Sequence, residues 1–331
     1  MRRDLDRGRR RTIFVFGAAA LAGPLKVFSQ QKFRIGYLAN DPDRASPTFQ
    51  AFVGAMRELG WVEDANLEIL YLSSGGRDEL FPGIAANALQ ASVDLIVTTG
   101  SASTRAAIAA TRNVPIVFGS AANPVEQKFV ASLARPGGNV TGLALLVQEL
   151  GPKRLQLLKE LLPTGSRFAR LYQSTSIAPL QPAIIGVDDA AAKKLGIELR
   201  HIAVKAIDGL QAAFAEAARE KLDGITVTAA ALFVVNREWI AKLALQYRLP
   251  IMCADARFCD AGALASYGEN FASRYRRAAF LVDKILRGAK PADLPVEQPT
   301  AFELVLNLRT AAALGMSIPA SVVLQADRLL K

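Results

Sequence analysis

Several short runs in this chain offer groups that could hold a small polar molecule. Val97-Thr98-Thr99-Gly100-Ser101-Ala102-Ser103-Thr104 passes from an apolar, β-branched stretch into a helix-forming one. Ser101 there is a natural N-cap. The free N–H groups of Ala102, Ser103 and Thr104 would face a small anion, with the positive end of the helix dipole behind them. A carboxylate suits such a cradle, although a Ser101 that merely caps its own helix accounts for the same residues. Phe118-Gly119-Ser120-Ala121-Ala122-Asn123-Pro124 supplies Ser120 and Asn123 in small surroundings, and reads equally as an ordinary turn before proline. Tyr172-Gln173-Ser174-Thr175-Ser176 and Thr226-Val227-Thr228-Ala229-Ala230 add hydroxyl and amide groups. The candidate ligand contacts are therefore Asn40, Thr99, Gly100, Ser101, Ala102, Ser103, Ser120, Asn123, Tyr172, Ser174, Thr228, Ala229 and Asp255.

Groups that would transform a ligand are scarcer. Cys253, Asp255 and Cys259 follow an apolar run, but the single histidine, His201, lies far off in Leu199-Arg200-His201-Ile202-Ala203, so a nucleophile with its base is hard to assemble. The two cysteines read as small core residues, and a disulfide between them is left open by the sequence. Two Cys and one His are too few for a structural zinc site or an iron–sulfur cluster. GxSxG, GxGxxG and Walker patterns are missing, so the chain reads as a binder without catalytic residues, metal or cofactor. The net charge of +10 points toward nucleic acid, yet residues 1–30 hold seven Lys/Arg against two Asp/Glu. Residues 31–331 carry 33 basic against 28 acidic side chains, with no basic run interleaved with aromatics. A nucleic-acid partner is not expected.

The elements that would position these groups alternate. Strands are expected at Phe33–Leu38, Leu67–Leu72, Val93–Thr98 and Val114–Phe118, with helices at Phe49–Leu59, Leu80–Ala91 and Ala102–Thr111. Apolar, β-branched strands separated by helices of this length imply right-handed crossovers and a parallel sheet covered on both faces. Arg135-Pro136-Gly137-Gly138-Asn139 is dense in turn formers, and Pro152 suits the first turn of a new helix, which sets a lobe boundary near residues 140–152. The alternation then resumes through strands Phe168–Tyr172, Glu198–Val204, Asp223–Val227, Pro250–Cys253 and Ala263–Tyr267. Helices at Leu210–Lys221 and Asn236–Tyr247 separate them, after one ending near Leu195-Gly196. A helix at Tyr275–Leu286, a proline-spaced linker, a strand at Phe302–Leu306 and a helix at Leu308–Leu314 remain over. The expected fold class is α/β, with two doubly wound parallel-sheet lobes joined by a multi-strand hinge: 31–145 with a returning segment 268–292, and 146–267 with the C-terminal segment 296–331. At 331 residues two lobes fit the usual domain size. Ligands of such sheets sit outside the carboxyl ends of the strands, which is why the loops above carry the candidates.

Val130-Ala131-Ser132-Leu133-Ala134-Arg135-Pro136-Gly137-Gly138-Asn139-Val140-Thr141-Gly142, Leu294-Pro295-Val296-Glu297-Gln298-Pro299-Thr300, Phe302-Glu303-Leu304-Val305-Leu306-Asn307 and Leu314-Gly315-Met316-Ser317-Ile318-Pro319 resemble the substrate-binding proteins of ABC importers whose characterised members bind tryptophan and other aromatic amino acids. The resemblance runs from about residue 33 to the end. It implies a type I periplasmic-binding-protein fold, a small ligand between two hinged lobes, a monomer, and delivery to an inner-membrane permease with its ATPase. A sugar-repressor-like sensing domain shares the fold but needs a helix-turn-helix that residues 1–32 are too short to supply. Two departures from the family pattern stand out. In the first, Asn123-Pro124-Val125 replaces the common Asp-Pro-Val, with Gln127 and Lys128 where a glycine is usual; in the second, Gln173-Ser174-Thr175-Ser176 stands where Asn-Pro is often found. If the acid of Asp-Pro-Val holds a ligand ammonium, its loss removes a charge-assisted contact of about 1.5–3 kcal/mol.

Arg9-Arg10-Arg11 precedes Thr12-Ile13-Phe14-Val15-Phe16-Gly17-Ala18-Ala19-Ala20-Leu21-Ala22, a basic start and an apolar run of export-signal length, shorter than the ~20 residues of a membrane span. Arg10-Arg11-Thr12-Ile13-Phe14 is similar to the twin-arginine motif, so residues 1–30 are read as a cleaved export signal and the mature chain as periplasmic. A folded reporter fused after residue 35 should reach the periplasm, and changing Arg10 and Arg11 both to Lys should retain it in the cytoplasm. Equal export of the lysine pair, stopped instead by a block of general secretion, would contradict the twin-arginine reading.

Overall fold

A computed structural model describes residues 32–175 and 181–331; the export segment and Ser176 lie outside the described residues. Two sheets organise the compact unit Lys32–Lys331. In the first, β2 (Leu67–Ser73), β1 (Phe33–Ala39), β3 (Leu95–Thr98), β4 (Ile116–Ala122) and β5 (Val140–Leu145) lie in that order, every pair parallel. The second runs β12 (Arg328–Leu330), β11 (Glu303–Asn307), β10 (Ala265–Gly268), β9 (Ile251–Cys253), β8 (Gly224–Val227), β6 (Arg167–Gln173), β7 (Glu198–Val204), with only the β10–β11 pair antiparallel. This is the α/β class that the alternating pattern predicts. Leu-Ile-Val-Thr of β3 and Gly-Ile-Thr-Val of β8 are buried at every position, because a parallel sheet covered by helices on both faces has no solvent side.

Each sheet has two cores. On the first, α1 (Pro47–Glu58) and α10 (Phe271–Leu286) press Phe49, Phe52 and Tyr275 against Tyr37 and Val97, while α2 (Phe81–Gln90) and α3 (Ser101–Ala110) close the opposite face around Phe81 and Phe118. On the second, α4 (Val147–Leu161) and α5 (Gln181–Leu195) cover one face, and α6 (Gly209–Arg219) and α8 (Arg237–Gln246) the other. Cys253 and Cys259 are free and buried, which answers the question of their pairing.

Some elements differ from the sequence expectation. The turn-dense run before Pro152 leads into β5, which pairs with β4 from Ile116 opposite Val140. Pro152 lies inside α4 and not at its first turn, since that helix already begins at Val147. Helix α10 begins at Phe271, four residues before Tyr275, because the Asn270 side chain accepts a hydrogen bond from Ser273 N (2.9 Å) and caps it. The short elements α7 (Ala231–Val235), α9 (Arg257–Asp260), α12 (Ala320–Val323) and β12 carry too little periodicity to be read from sequence.

The chain passes between the sheets three times: from β5 to α4, from β10 to α10, and from residue 297 to β11. The third passage is laid along the first. Thr141 Oγ1 donates to Leu294 O (2.7 Å), Glu297 N to Gly142 O (3.0 Å) and Ala144 N to Glu297 O (2.8 Å). The second is bound to the third by Arg277 of α10, which donates to both Glu297 carboxylate oxygens (2.7 Å each). It is bound to the first by Arg274 at the start of the same helix. The Arg274 guanidinium donates to Gly119 O of β4 (2.7 Å), to Leu143 O of β5 and to the Glu269 carboxylate, all buried. Burial lowers the Arg274 pKa to about 10, so it remains charged at neutral pH. Replacing Arg274 by Met should cost about 3–5 kcal/mol in denaturant unfolding, because it strands the Glu269 charge without its partner; a loss under about 1 kcal/mol would mean that Arg274 does not hold the passages together.

Candidate ligand-binding site

Between the sheets lies a cavity partly open to solvent. The first lobe contributes Asn40 after β1, Thr99 to Ala102 after β3, and Ser120 and Ala122 of β4. The second contributes Thr228 to Ala231 after β8, Ala254 after β9, and Arg154, Arg170, Gln173 and Gln181. Leu145, Leu146, Glu269 and Phe271 close the hinge end. A smaller cavity shares Asn40, Thr99, Ser120, Ala229, Ala231 and Phe271 with it, and is lined further by Tyr37, Tyr71, Tyr275, Asp255 and Arg257.

The first-lobe wall is built around Thr99. Its Oγ1 accepts from Asn40 N (2.9 Å) and donates to Leu38 O (3.1 Å), while its carbonyl accepts from Asn40 Nδ2 (3.3 Å), Ser120 Oγ (3.4 Å) and Tyr275 OH (3.2 Å). The residue after it, Gly100, and not Ser101, is the N-cap of α3. Gly100 N donates to Ser103 Oγ (3.1 Å), which itself donates to Gly100 O (2.9 Å). The first backbone bond of the helix runs from Thr104 N to Gly100 O (3.0 Å), so the donors preceding it are those of Ser101, Ala102 and Ser103, one residue earlier than the sequence suggests. Ser101 Oγ instead accepts from Ala122 N (3.1 Å) and Gln127 Nε2 (3.1 Å). The bulky Gln127 thus ties the loop after β4 onto the start of α3.

Of the candidate contacts, Asn40, Thr99, Gly100, Ser101, Ala102, Ser120, Thr228 and Ala229 line the main cavity, and Asp255 lines the smaller one. Ser103 is fully buried in its capping bonds. Asn123 has φ +40° and donates to Glu126 Oε2 (3.0 Å); Tyr172 lies with its ring 4.9 Å from the Arg170 guanidinium carbon. Neither these nor Ser174 are brought to the cavity wall.

The charged lining was missed. Arg170 sits in β6 at 4 % exposure, with Nε 3.0 Å from Asp188 Oδ2 and Nη1 3.4 Å from Gln181 Oε1. Burial outweighs the neighbouring arginines and raises the Asp188 pKa; its Oδ2 is close to Arg170 in charge but makes no well-directed hydrogen bond. Arg154 donates from Nε to Tyr267 O (2.7 Å), and no carboxylate of the described residues lies within ion-pair distance of it. Burial lowers its pKa to about 10, with Asp188 pulling the other way. Asp78 accepts across the cleft from Gln173 Nε2 (3.3 Å), a direct contact between lobes. An arginine inside the apolar run Phe168-Ala169-Arg170-Leu171 was a visible signal, as was an acid directly after a strand at Glu269; the reading of strand-end loops for small polar groups passed over both.

Two doubly wound lobes, three passages between them and a cavity at the strand ends define a protein of the periplasmic-binding type. The sequence model of the ABC transporter substrate binding protein family matches residues 42–330, and the chain belongs to that family. A tyrosine-binding protein of Clostridioides difficile is 26 % identical over 291 residues, covering 87 % of this chain and 81 % of its own. Among solved structures, a conserved domain protein from Vibrio cholerae superposes with TM-score 0.82 at 26 % identity, covering 90 % of this chain and all of its own. An ABC domain from Streptococcus pneumoniae in complex with L-Trp superposes at 0.79 with 22 % identity, covering 91 % and 100 %.

Burial, then the neighbouring Glu79, raises the Asp78 pKa from 3.8 to about 6. Between those values the folded protein binds more protons than the unfolded chain, so this group makes stability fall as pH rises from about 4 to about 6, and adds no slope above that. Asp78→Asn should flatten that fall in melting curves taken across the window. Parallel pH profiles for the two proteins would refute the assignment.

Proposed function

We propose that this chain is the extracytoplasmic solute-binding component of an ABC importer, which captures a small carboxylate, amino acids among them, between its lobes and delivers it to the permease. The observation that carries the reading is the pairing of opposite walls. The first backbone donors of α3 come from one lobe, and Arg154, a cation without a carboxylate partner among the described residues, comes from the other. A helix N-terminus and a half-buried guanidinium both gain from an anion set between them, and only a closed cleft presents both. Leu145, Leu146, Leu150 and Phe271 offer apolar contact to the rest of the molecule. Amino acids are supported by the tyrosine-binding relative and the L-Trp complex. Export through the amino-terminal twin-arginine segment, and work as a monomer, belong to the same reading.

Native mass spectrometry of protein purified without refolding should reveal a bound small carboxylate. Adding that compound back to stripped protein should lower the radius of gyration in small-angle scattering, since a ligand held by both walls stabilises the closed form. At a hundredfold excess over its Kd it should add ~2.7 kcal/mol of stability. Ala102→Asp places a carboxylate among the α3 donors and should abolish the compaction without lowering the melting temperature, because an acid in the first helical turn is itself favourable. Tight binding with unchanged scattering in the unaltered protein would mean a one-lobe site and defeat the transport-receptor reading.

A further inference from the structure

Two acids of the first lobe meet side chains of the second across the cleft. Asp41 has a cation opposite it, with Arg237 Nη1 3.9 Å from its Oδ2. Asp78, at the start of the turn Asp78–Leu80 that leads into α2, meets only the neutral amide of Gln173, 3.3 Å away. That amide is fixed. Gln173 is 3 % exposed, its Oε1 accepts from Leu232 N (3.2 Å), and its Nε2 donates a second time, to Thr175 Oγ1 (3.0 Å). Ala229, Ala230 and Ala231, which line the cavity with Asp78, add methyl groups and no side-chain donor. Of the charges that act on Asp78, Glu79 opposes its ionisation and Arg105 of α3 supports it. Arg105 is itself engaged, donating to Gln127 Oε1 (2.6 Å). Arg154, Arg170 and Glu269 share the cavity, and none of them pairs with Asp78.

Glu79, Arg105 and the amino-terminal end of α2 belong to the same lobe as Asp78, so they stay beside it whether the cleft is open or closed. What closure changes is hydration. A carboxylate that exchanges water for one long, neutral hydrogen bond loses more as an anion than as an acid. The closed form therefore holds the Asp78 proton to higher pH, in keeping with burial as the first cause that raises its pKa from 3.8 to about 6. Closing the cleft takes up a proton over that window. The closed-to-open ratio rises as pH falls from about 6 to about 4, by up to about a hundredfold for a shift of about two pH units, and is flat above it.

We propose that Asp78, set against Gln173 across the cleft, is a proton-linked latch that draws the two lobes together in acid and lets them part at neutral pH. A molecule held only by the closed form gains affinity in acid by the same factor, whatever its chemistry. The test is made on the full chain without a ligand. Cys253 and Cys259 are fully buried, so nitroxide labels attach only at Val125→Cys and Ile207→Cys, positions 40 % and 50 % exposed on opposite lobes. Pulsed electron spin resonance then reads the distance between lobes from about pH 4.5 to about pH 7.5. The closed-to-open ratio should be at least about fivefold higher at the acid end. In this labelled chain, Asp78→Asn should remove most of that dependence and keep the closed population at neutral pH. Gln173→Glu sets a second carboxylate against Asp78 and should empty the closed population at neutral pH, with recovery in acid. Should Asp78→Asn fail to fold, Gln173→Glu decides. An unchanged pH dependence in Asp78→Asn, or a Gln173→Glu chain as closed as its parent at neutral pH, would overturn the latch and leave the solute-binding reading standing. One distance at every pH in the parent would overturn it as well.

Discussion

One buried guanidinium joins the parts on which everything else depends. Strand β4 breaks register with β5 between Phe118 and Ala121, which turns the Gly119 carbonyl out of the ladder. Arg274 takes up that carbonyl together with Leu143 O and the Glu269 carboxylate, so a bulge in one strand, the exit of a second and the exit of a third share one donor. The close approach needs a glycine. A Cβ on Gly119 would stand 2.3 Å from the Tyr275 ring, and one on Gly142, at φ +154°, 2.1 Å from Phe118 O. With those positions bare, α10 settles against β4 and Tyr275 OH reaches Thr99 O at the cavity wall. Hinge and binding wall are thus one construction.

The cavity follows from which polar groups this construction leaves unfilled. Backbone and side-chain partners satisfy Thr99, Ser101, Ser103 and Asp255, so these set shape more than they offer bonds. Two groups on the cavity wall are left without such partners: the first N–H groups of α3 and, among the described residues, the charge of Arg154. Burial strengthens each of these interactions and penalises leaving them unmade. The lobes also touch at the cavity's edge, where Gln173 reaches Asp78 and a Cβ on Gly76, at φ +81°, would stand 3.4 Å from Ala231 O and Leu232 Cα. An Asp78 whose pKa stands near 6 has only a modest preference for its charged form there at neutral pH.

The alternation of apolar strands and helices was legible because parallel sheets bury both faces, and continuous runs such as Leu95-Ile96-Val97 and Ile225-Thr226-Val227 announce it. The loops after β1, β3 and β8 were legible as cavity lining, since a doubly wound sheet leaves its crevice at the carboxyl ends of the strands. Reading failed where the deciding partner was distant in sequence. Ser101 looked like a cap, but Gln127 and Ala122 claim its hydroxyl, and the cap passes to Gly100. Ser103 fails as a contact for a local reason, since Gly100, three residues earlier, takes up its hydroxyl.

The amino-acid sequence by itself determined the class of fold, the repeated two-lobe plan, several of the loops that line the cavity, and membership of a family written in the run from Val130 to Gly142. Periodicity and local turn chemistry suffice for these, because they depend on neighbours along the chain. The tertiary structure alone decided which charges line the cavity. Arg154 from α4, Arg170 from β6 and Glu269 after β10 lie up to 115 residues apart, and nothing local to any of them says that they share one cavity. Only the packing of α4, α5 and α10 around the strand ends determines that Arg170 finds Asp188, that Glu269 finds Arg274, and that Arg154 has no carboxylate partner among the described residues.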